Sequence, residues 1–120
     1  MNKNNETLGS KLITLHPDKI PVIIYHDNIT FFKNGFKESS NTGVRNLVVQ
    51  KNITVNQLLV ILRCNIKILH TETLRLYVNN YMLKDNDIIE YIYDKYRNLK
   101  DGCLYITIVK ENMFKAIHNL

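Results

Sequence analysis

The chain has 120 residues, enough for one domain, and its 45% hydrophobic content is enough to bury a core, which excludes wholesale disorder. A chain this small has little room for a deep catalytic cleft plus a cofactor domain, so a compact binding module is expected. Sixteen Lys and Arg against eleven Asp and Glu give a net charge of +5, a mild basic bias that by itself selects no partner.

The basic residues are scattered and form no nucleic-acid signature, so no nucleic-acid partner is expected. Cys64 and Cys103 stand in no CxxC pair, and the four His residues show no HxxxH-type spacing. No metal, no cofactor and no nucleophilic site is therefore expected. The opening MNKNNETLGS lacks the apolar stretch of a signal peptide, and no apolar run approaches the ~18 residues of a membrane span. A cytoplasmic, monomeric protein with reduced thiols follows as the expectation.

Residues 1–7 read as a flexible start. Leu8, Leu12 and Leu15 have the spacing of a short amphipathic helix closed by His16-Pro17-Asp18. Pro21-Val22-Ile23-Ile24-Tyr25 is dense in β-branched residues and predicts a strand, with Pro at its first residue or on a sheet edge. From His26 to Gly43 the turn dipeptide Asn34-Gly35 and the run Ser39-Ser40-Asn41-Thr42-Gly43 predict a long connection, anchored at Phe31-Phe32. Val44–Gln50 predicts the second strand.

Val55, Leu58, Leu59, Leu62 and Ile66 make one apolar stripe, the clearest helix, with Thr54 or Asn52 as N-cap. Leu74–Val78 predicts a strand stopped by Asn79-Asn80. Asp85 to Asp87 are placed as caps of a helix carrying Ile88, Ile89, Ile92 and Tyr93, and Cys103–Val109 predicts the last strand. The order is helix, β, β, α, β, α, β. That is an α+β β-grasp with an N-terminal helix.

His16-Pro17-Asp18-Lys19-Ile20-Pro21-Val22-Ile23 resembles the Tyr-Pro-Asp-Arg-x-Pro-Val-Ile segment of the autophagy ubiquitin-like modifiers, the GABARAP and light-chain-three family. Thr54-Val55-x-Gln57, Arg63-x-x-Ile66-Lys67, Val78-Asn79-Asn80, Asp101-Gly102-x-Leu104-Tyr105-Ile106-Thr107 and Glu111-Asn112-x-Phe114 continue the likeness in order. It spans residues 8–114, leaving 115–120 as a tail.

The resemblance implies a docking protein, not an enzyme. Family members bind a peptide with an aromatic residue, two arbitrary residues and an aliphatic one, added as a strand to a sheet edge. Carried over by position, Leu12, Pro21, Ile23, Val48 and Cys103 would line the aromatic-anchor pocket. Leu47, Val49, Ile53, Leu58 and Ile61 would line the aliphatic one, with Arg63 beside it. Lys19 and Arg45 would meet acidic flanks of the peptide. The implied partners are cargo receptors and autophagy proteins bearing such motifs, with association to the autophagosomal membrane.

The sequence departs from the family at Cys103, where Phe is usual, at Gln50, where Pro is usual, and at Asn46 and Asn65, which replace basic residues. Lys115 stands where the family exposes the Gly that becomes joined to phosphatidylethanolamine. A side-chain-free residue can thread a narrow enzyme channel and Lys cannot, so conventional lipid conjugation is not expected. Two other readings are compatible with the fold. One is the related autophagy modifier that pairs non-covalently with a scaffold, although that relative lacks the Pro-Asp-Lys-Ile-Pro-Val-Ile type of segment. The other is a basic β-grasp binder of nucleic acid or an anionic surface.

Overall fold

The computed structural model describes residues 18–27, 29–33, 36–37 and 43–112. The helix expected over Leu8–Leu15, with Leu12, and the tail beyond Asn112 lie outside them. In chain order the elements are β1 (Lys19–His26), β2 (Thr30–Lys33), β3 (Phe36–Lys37), β4 (Gly43–Gln50), α1 (Val55–Asn65), β5 (Ile66–Lys67), β6 (Glu72–Val78), β7 (Tyr81–Met82), α2 (Ile89–Tyr96) and β8 (Leu104–Asn112).

Alternation along β1 sets the layers. Ile20, Val22 and Ile24 turn inward, as do Leu104, Ile106 and Ile108 of β8 and Leu74, Leu76 and Val78 of β6. Val55, Leu58 and Leu62 of α1 and Ile89 and Ile92 of α2 close over them as one core. The five-stranded sheet runs β4-β1-β8-β6-β7, with β1 and β8 parallel and the other neighbours antiparallel. This is a ubiquitin-like α+β fold.

Pro21 stands third in β1, neither at its start nor in an edge strand. The register explains why it is tolerated. Pairing with β8 begins only at Val22↔Leu104, so at Pro21 one side of β1 has no strand to which an N–H would donate.

The described parts of the stretch 26–43 hold more strand than the turn signals announce. β2 and β3 pair through Phe32↔Lys37 and Lys33↔Phe36, on either side of Asn34-Gly35, and β2 pairs with β5 through Phe31↔Ile66. Burial of Ile29 and Phe31 holds this small second sheet to the core. Ile66 therefore belongs to a strand, with extended backbone, and not to the helix stripe. Tyr81–Met82 adds a strand the sequence pattern does not announce. Asn79 and Asn80 both take positive φ (49° and 69°), the condition for a tight two-residue hairpin, which Asn meets more cheaply than most residues.

Thr54 is the N-cap of α1. Its hydroxyl accepts from Gln57 N (3.1 Å), while the Gln57 side chain accepts from Thr54 N (2.9 Å), a reciprocal capping box. Asp85 and Asp87 do not cap α2 with their side chains. The N-cap there is Ile88, without a side-chain bond, and the Asp87 carboxylate instead accepts from Lys84 N (2.9 Å) and the Tyr81 hydroxyl (3.1 Å). The aspartate backbone carbonyls serve α1: Val55 N donates to Asp87 O (2.9 Å) and Asn56 N to Asp85 O (3.0 Å).

Thr54→Ala should cost about 1 kcal/mol of unfolding free energy, the usual worth of a side-chain cap. Leu58→Ala, which empties a fully enclosed site, should cost about 2–5 kcal/mol. Urea denaturation of the two variants checks the order; a larger loss for Thr54→Ala would contradict this packing.

Candidate functional site

β4 is the edge of the main sheet and pairs with β1 alone among the described strands. Among the described strands, nothing pairs with the outer side of its eight residues. Side chains on β4 alternate between the two sheet faces, and this alternation separates the expected site residues into two groups.

On the face away from the helices, Pro21 lies opposite Val48 and Ile23 opposite Asn46. Cys103 immediately precedes Leu104, the residue opposite Val22, which places it next to Pro21 across the β1–β8 pair. Pro21, Ile23 and Cys103 are buried without belonging to the continuous core cluster, and Val48 is half-buried at their border. The structure thus brings together the described members of the expected aromatic-anchor set.

The helix-side face carries the other set. Leu47 and Ile53 are partly buried against the core, Ile61 is exposed on α1, and Val49 and Leu58 are enclosed in the core. Of this set Leu47, Ile53 and Ile61 keep some exposure, while Val49 and Leu58 belong to the core.

The expected cations are placed less simply. Lys19 opens β1 opposite Gln50, at the end of the β4 edge. Arg45 turns to the helix-side face, its guanidinium 4.5 Å from the centre of the buried Phe31 ring. Arg63 sits in the last turn of α1 and reaches toward the Glu72 carbonyl (3.4 Å), near the start of β6 and away from the β4 edge. Val44, exposed on the same face as Val48, is a residue the resemblance does not point to; alternation along β4 is the signal that finds it.

The outer-face cluster is fixed by the turn that starts β8. Asn98 Oδ1 accepts from Lys100 N (2.7 Å) and Asp101 N (3.2 Å), and Asp101 Oδ1 accepts from Cys103 N (2.9 Å). The Tyr105 hydroxyl donates to the other Asp101 oxygen, and the Tyr105 ring stacks on Tyr25 at 5.8 Å. The Asp101 hydrogen bond, with burial, pushes the Tyr105 hydroxyl up to about 12, and burial followed by Asp101 pushes the Cys103 thiol up to about 11. Cys103 is therefore an inert wall at neutral pH. No group of His, Cys, Asp and Glu among the described residues could hold a metal ion, and no described helix is long and apolar enough to cross a membrane.

β4, paired with β1 alone among the described strands, carries apolar residues on both faces. The profile described as "Autophagy protein Atg8 ubiquitin like" matches residues 4–115. The chain belongs to the Atg8 ubiquitin-like family. Autophagy-related protein 8e of Arabidopsis thaliana is 29% identical over 84% of this chain and 76% of its own length. Autophagy-related protein 8D of Oryza sativa is 28% identical over 88% and 84%. The crystal structure of Trypanosoma brucei ATG8 superposes with a TM-score of 0.68 at 25% identity, covering 87% of this chain and 83% of that one. Plasmodium falciparum Atg8, solved in complex with an Atg3 peptide, gives 0.59 at 22% identity over 82% and 81%, a likeness of fold. This Atg8-family chain is an autophagy ubiquitin-like protein, and the family consists of modifiers rather than enzymes.

The two thiols of this Atg8-family protein should separate in reactivity. At pH 8 a disulfide reagent should titrate the exposed Cys64 quickly and Cys103 only after denaturation, and Cys64→Ser should abolish the fast phase. Two fast thiols would contradict the burial of Cys103.

Proposed function

We propose that this protein docks short peptides of the form aromatic-x-x-aliphatic by adding them as a strand to the β4 edge. The observation that carries the reading is the β4 edge, paired with β1 alone among the described strands, with apolar residues on each face. In an extended peptide, residues three apart point to opposite sides. An aromatic anchor would enter beside Val48, Pro21, Ile23 and Cys103 while the aliphatic anchor reaches Leu47, Ile53 and Ile61. Backbone pairing supplies much of the affinity and the two anchors supply selectivity. Lys19, at the end of the edge, is placed to meet acidic residues flanking the motif. The partners are cargo receptors and components of the autophagy machinery, and contact with autophagosomal membrane comes through them.

Val48→Asp should abolish motif-peptide binding in a folded protein, because a carboxylate would be desolvated beneath the aromatic anchor. Losing such an anchor costs ~2 kcal/mol or more, about thirtyfold in Kd. Calorimetry against a motif peptide tests this, with a peptide N-methylated between its anchors as the second arm. Undiminished binding of the methylated peptide would sink strand addition, and undiminished binding by Val48→Asp would sink the pocket.

We further propose that the protein acts without conventional lipid conjugation, since Lys115 follows Phe114 where the family carries its Gly. Intact-mass measurement of the protein from its own starved cells should show no species cut near residue 114 with a lipid-sized increment. Such a species would overturn the proposal.

A further inference from the structure

The turn between α2 and β8 leaves an apolar side chain almost wholly in water. Leu99 is 87% exposed, more than any other large apolar residue among those described. Backbone bonds on both sides hold it out. Asn98 N donates to Cys103 O (2.8 Å) and Gly102 N to Asn98 O (2.8 Å), with Gly102 at a positive φ of 73° that closes the loop. The Asn98 side chain ties Lys100 N and Asp101 N as well, so Leu99 has no freedom to fold inward. Cations stand around it. The Arg97 guanidinium lies 5.5 Å from the centre of the Tyr93 ring and Lys95 Nζ 5.3 Å from that of Tyr96, so each stem is steadied on an aromatic face. Lys100 is in no ion pair among the described residues. Beside the turn an open hollow of about 540 Å³ is bounded by Asn79, Tyr96, Arg97, Leu99, Lys100 and Tyr105. The nearby carboxylates do not close it to anions. Asp101 is occupied by Cys103 N and the Tyr105 hydroxyl, and Asp94 lies 4.0 Å from Arg97 in an exposed pair that an incoming anion can replace. β1 stands between β8 and β4, and none of these residues belongs to the peptide edge described above.

We propose that this turn is a direct contact with the surface of anionic phospholipid bilayers. Leu99 enters the boundary between headgroups and acyl chains, while Lys95, Arg97 and Lys100 meet lipid phosphates. Shape and charge both point there. An apolar knob ringed by cations matches a surface that is anionic at the top and apolar just beneath. Single-stranded nucleic acid would answer the cations but gives an exposed leucine nothing to enter, and a free phosphate would leave Leu99 in water. The turn is already fixed, so it loses little freedom on binding. Each cation near an anionic surface strengthens binding ~fivefold, and withdrawing Leu99 from water adds at least a comparable factor. The net charge of +5 adds attraction at longer range. The contact is therefore weak, reversible and sensitive to salt. It needs neither an occupied β4 edge nor a covalent lipid, and it adds to the membrane contact that partners supply.

The chain contains no Trp, so Leu99→Trp places a single fluorescent reporter at the tip of the turn. Its emission should shift to the blue on vesicles of phosphatidylcholine with about one third phosphatidylserine, and stay unshifted on phosphatidylcholine alone. In vesicle sedimentation at low salt, Leu99→Ser should bind the anionic vesicles about fivefold more weakly than the unaltered chain. Arg97→Gln with Lys100→Gln should bind them about twentyfold more weakly. Leu99→Ser removes no buried contact, so it carries the test if the double variant folds poorly. It should also leave motif-peptide affinity unchanged, which keeps this result separate from that of the β4 edge. Failure of the unaltered chain to bind, equal binding by Leu99→Ser, or an unshifted Leu99→Trp emission would overturn the proposal. So would a single-stranded RNA that displaces the vesicles and binds Leu99→Ser undiminished, which would assign the cations to nucleic acid. Displacement by inorganic phosphate, at an ionic strength where chloride has no such effect, would reduce the site to one for a free anion and overturn it too.

Discussion

The fold depends on a reciprocal arrangement at the N-termini of its two helices. Each helix begins with backbone N–H groups that have no partner of their own within the helix. Here the segment before one helix supplies the acceptors for the other. Val55 N and Asn56 N donate to Asp87 O and Asp85 O, while Ile89 N donates to Ile53 O (2.9 Å) and Glu90 N to Lys51 O (3.1 Å). A bridge between Thr54 and Ile88 ties the two N-caps directly. Since Lys51 and Ile53 lie just after β4, the same bonds fix where the edge strand stops and where the chain turns onto the core. Ile53, proposed for the aliphatic anchor, is held by its own carbonyl.

The consequence for the edge follows from strand geometry. An eight-residue strand with an open edge is a liability in any soluble protein, and edges are commonly blunted by Pro, bulges or covering segments. β4 contains no Pro and pairs with β1 in continuous register from Lys19↔Gln50 to His26↔Gly43. Its backbone stays straight and its outer side stays regular. The exposed polar residues Asn46 and Gln50 discourage self-association without bending the strand. A regular edge between two apolar faces is more useful for recruiting a peptide than a blunted one.

The periodic parts of this architecture were legible in the sequence. Ile20, Val22 and Ile24 alternate, the Val55–Leu62 stripe repeats at helical spacing, and Thr54 with Gln57 spells a capping box; all three appear as structure. What escaped depends on contacts between distant segments. Tyr81–Met82 is too short to show a period, and its pairing arises from the positive φ of Asn79 and Asn80. β2 and β5 stabilise each other across more than thirty positions of sequence, and neither carries enough alternation to declare itself. The aspartates before α2 look like side-chain caps, yet packing of the two helix starts makes their carbonyls the better acceptors. On β4, alternation puts Val48 on one face and Leu47 and Val49 on the other. It does not tell accessible Leu47 and Ile61 from enclosed Val49 and Leu58, because burial depends on how α1 lies across the sheet.

Electrostatics give the last constraint on recognition. Of the cations expected near the edge, Arg45 stacks on Phe31 on the helix side and Arg63 reaches toward the Glu72 carbonyl. Moving Arg45 to a ligand would uncover the ring of a buried Phe31 that helps anchor β2, and an exposed ion pair formed in exchange is worth about 1 kcal/mol at most. That exchange is unfavourable, so Arg45 serves the fold. Asp101 is occupied too, since Cys103 N and the Tyr105 hydroxyl use both of its oxygens. The edge is left with backbone donors and acceptors, apolar walls on either face and Lys19 at one end. A peptide docking there as proposed would be selected by the shape and spacing of two apolar anchors, with charge tuning only what flanks them.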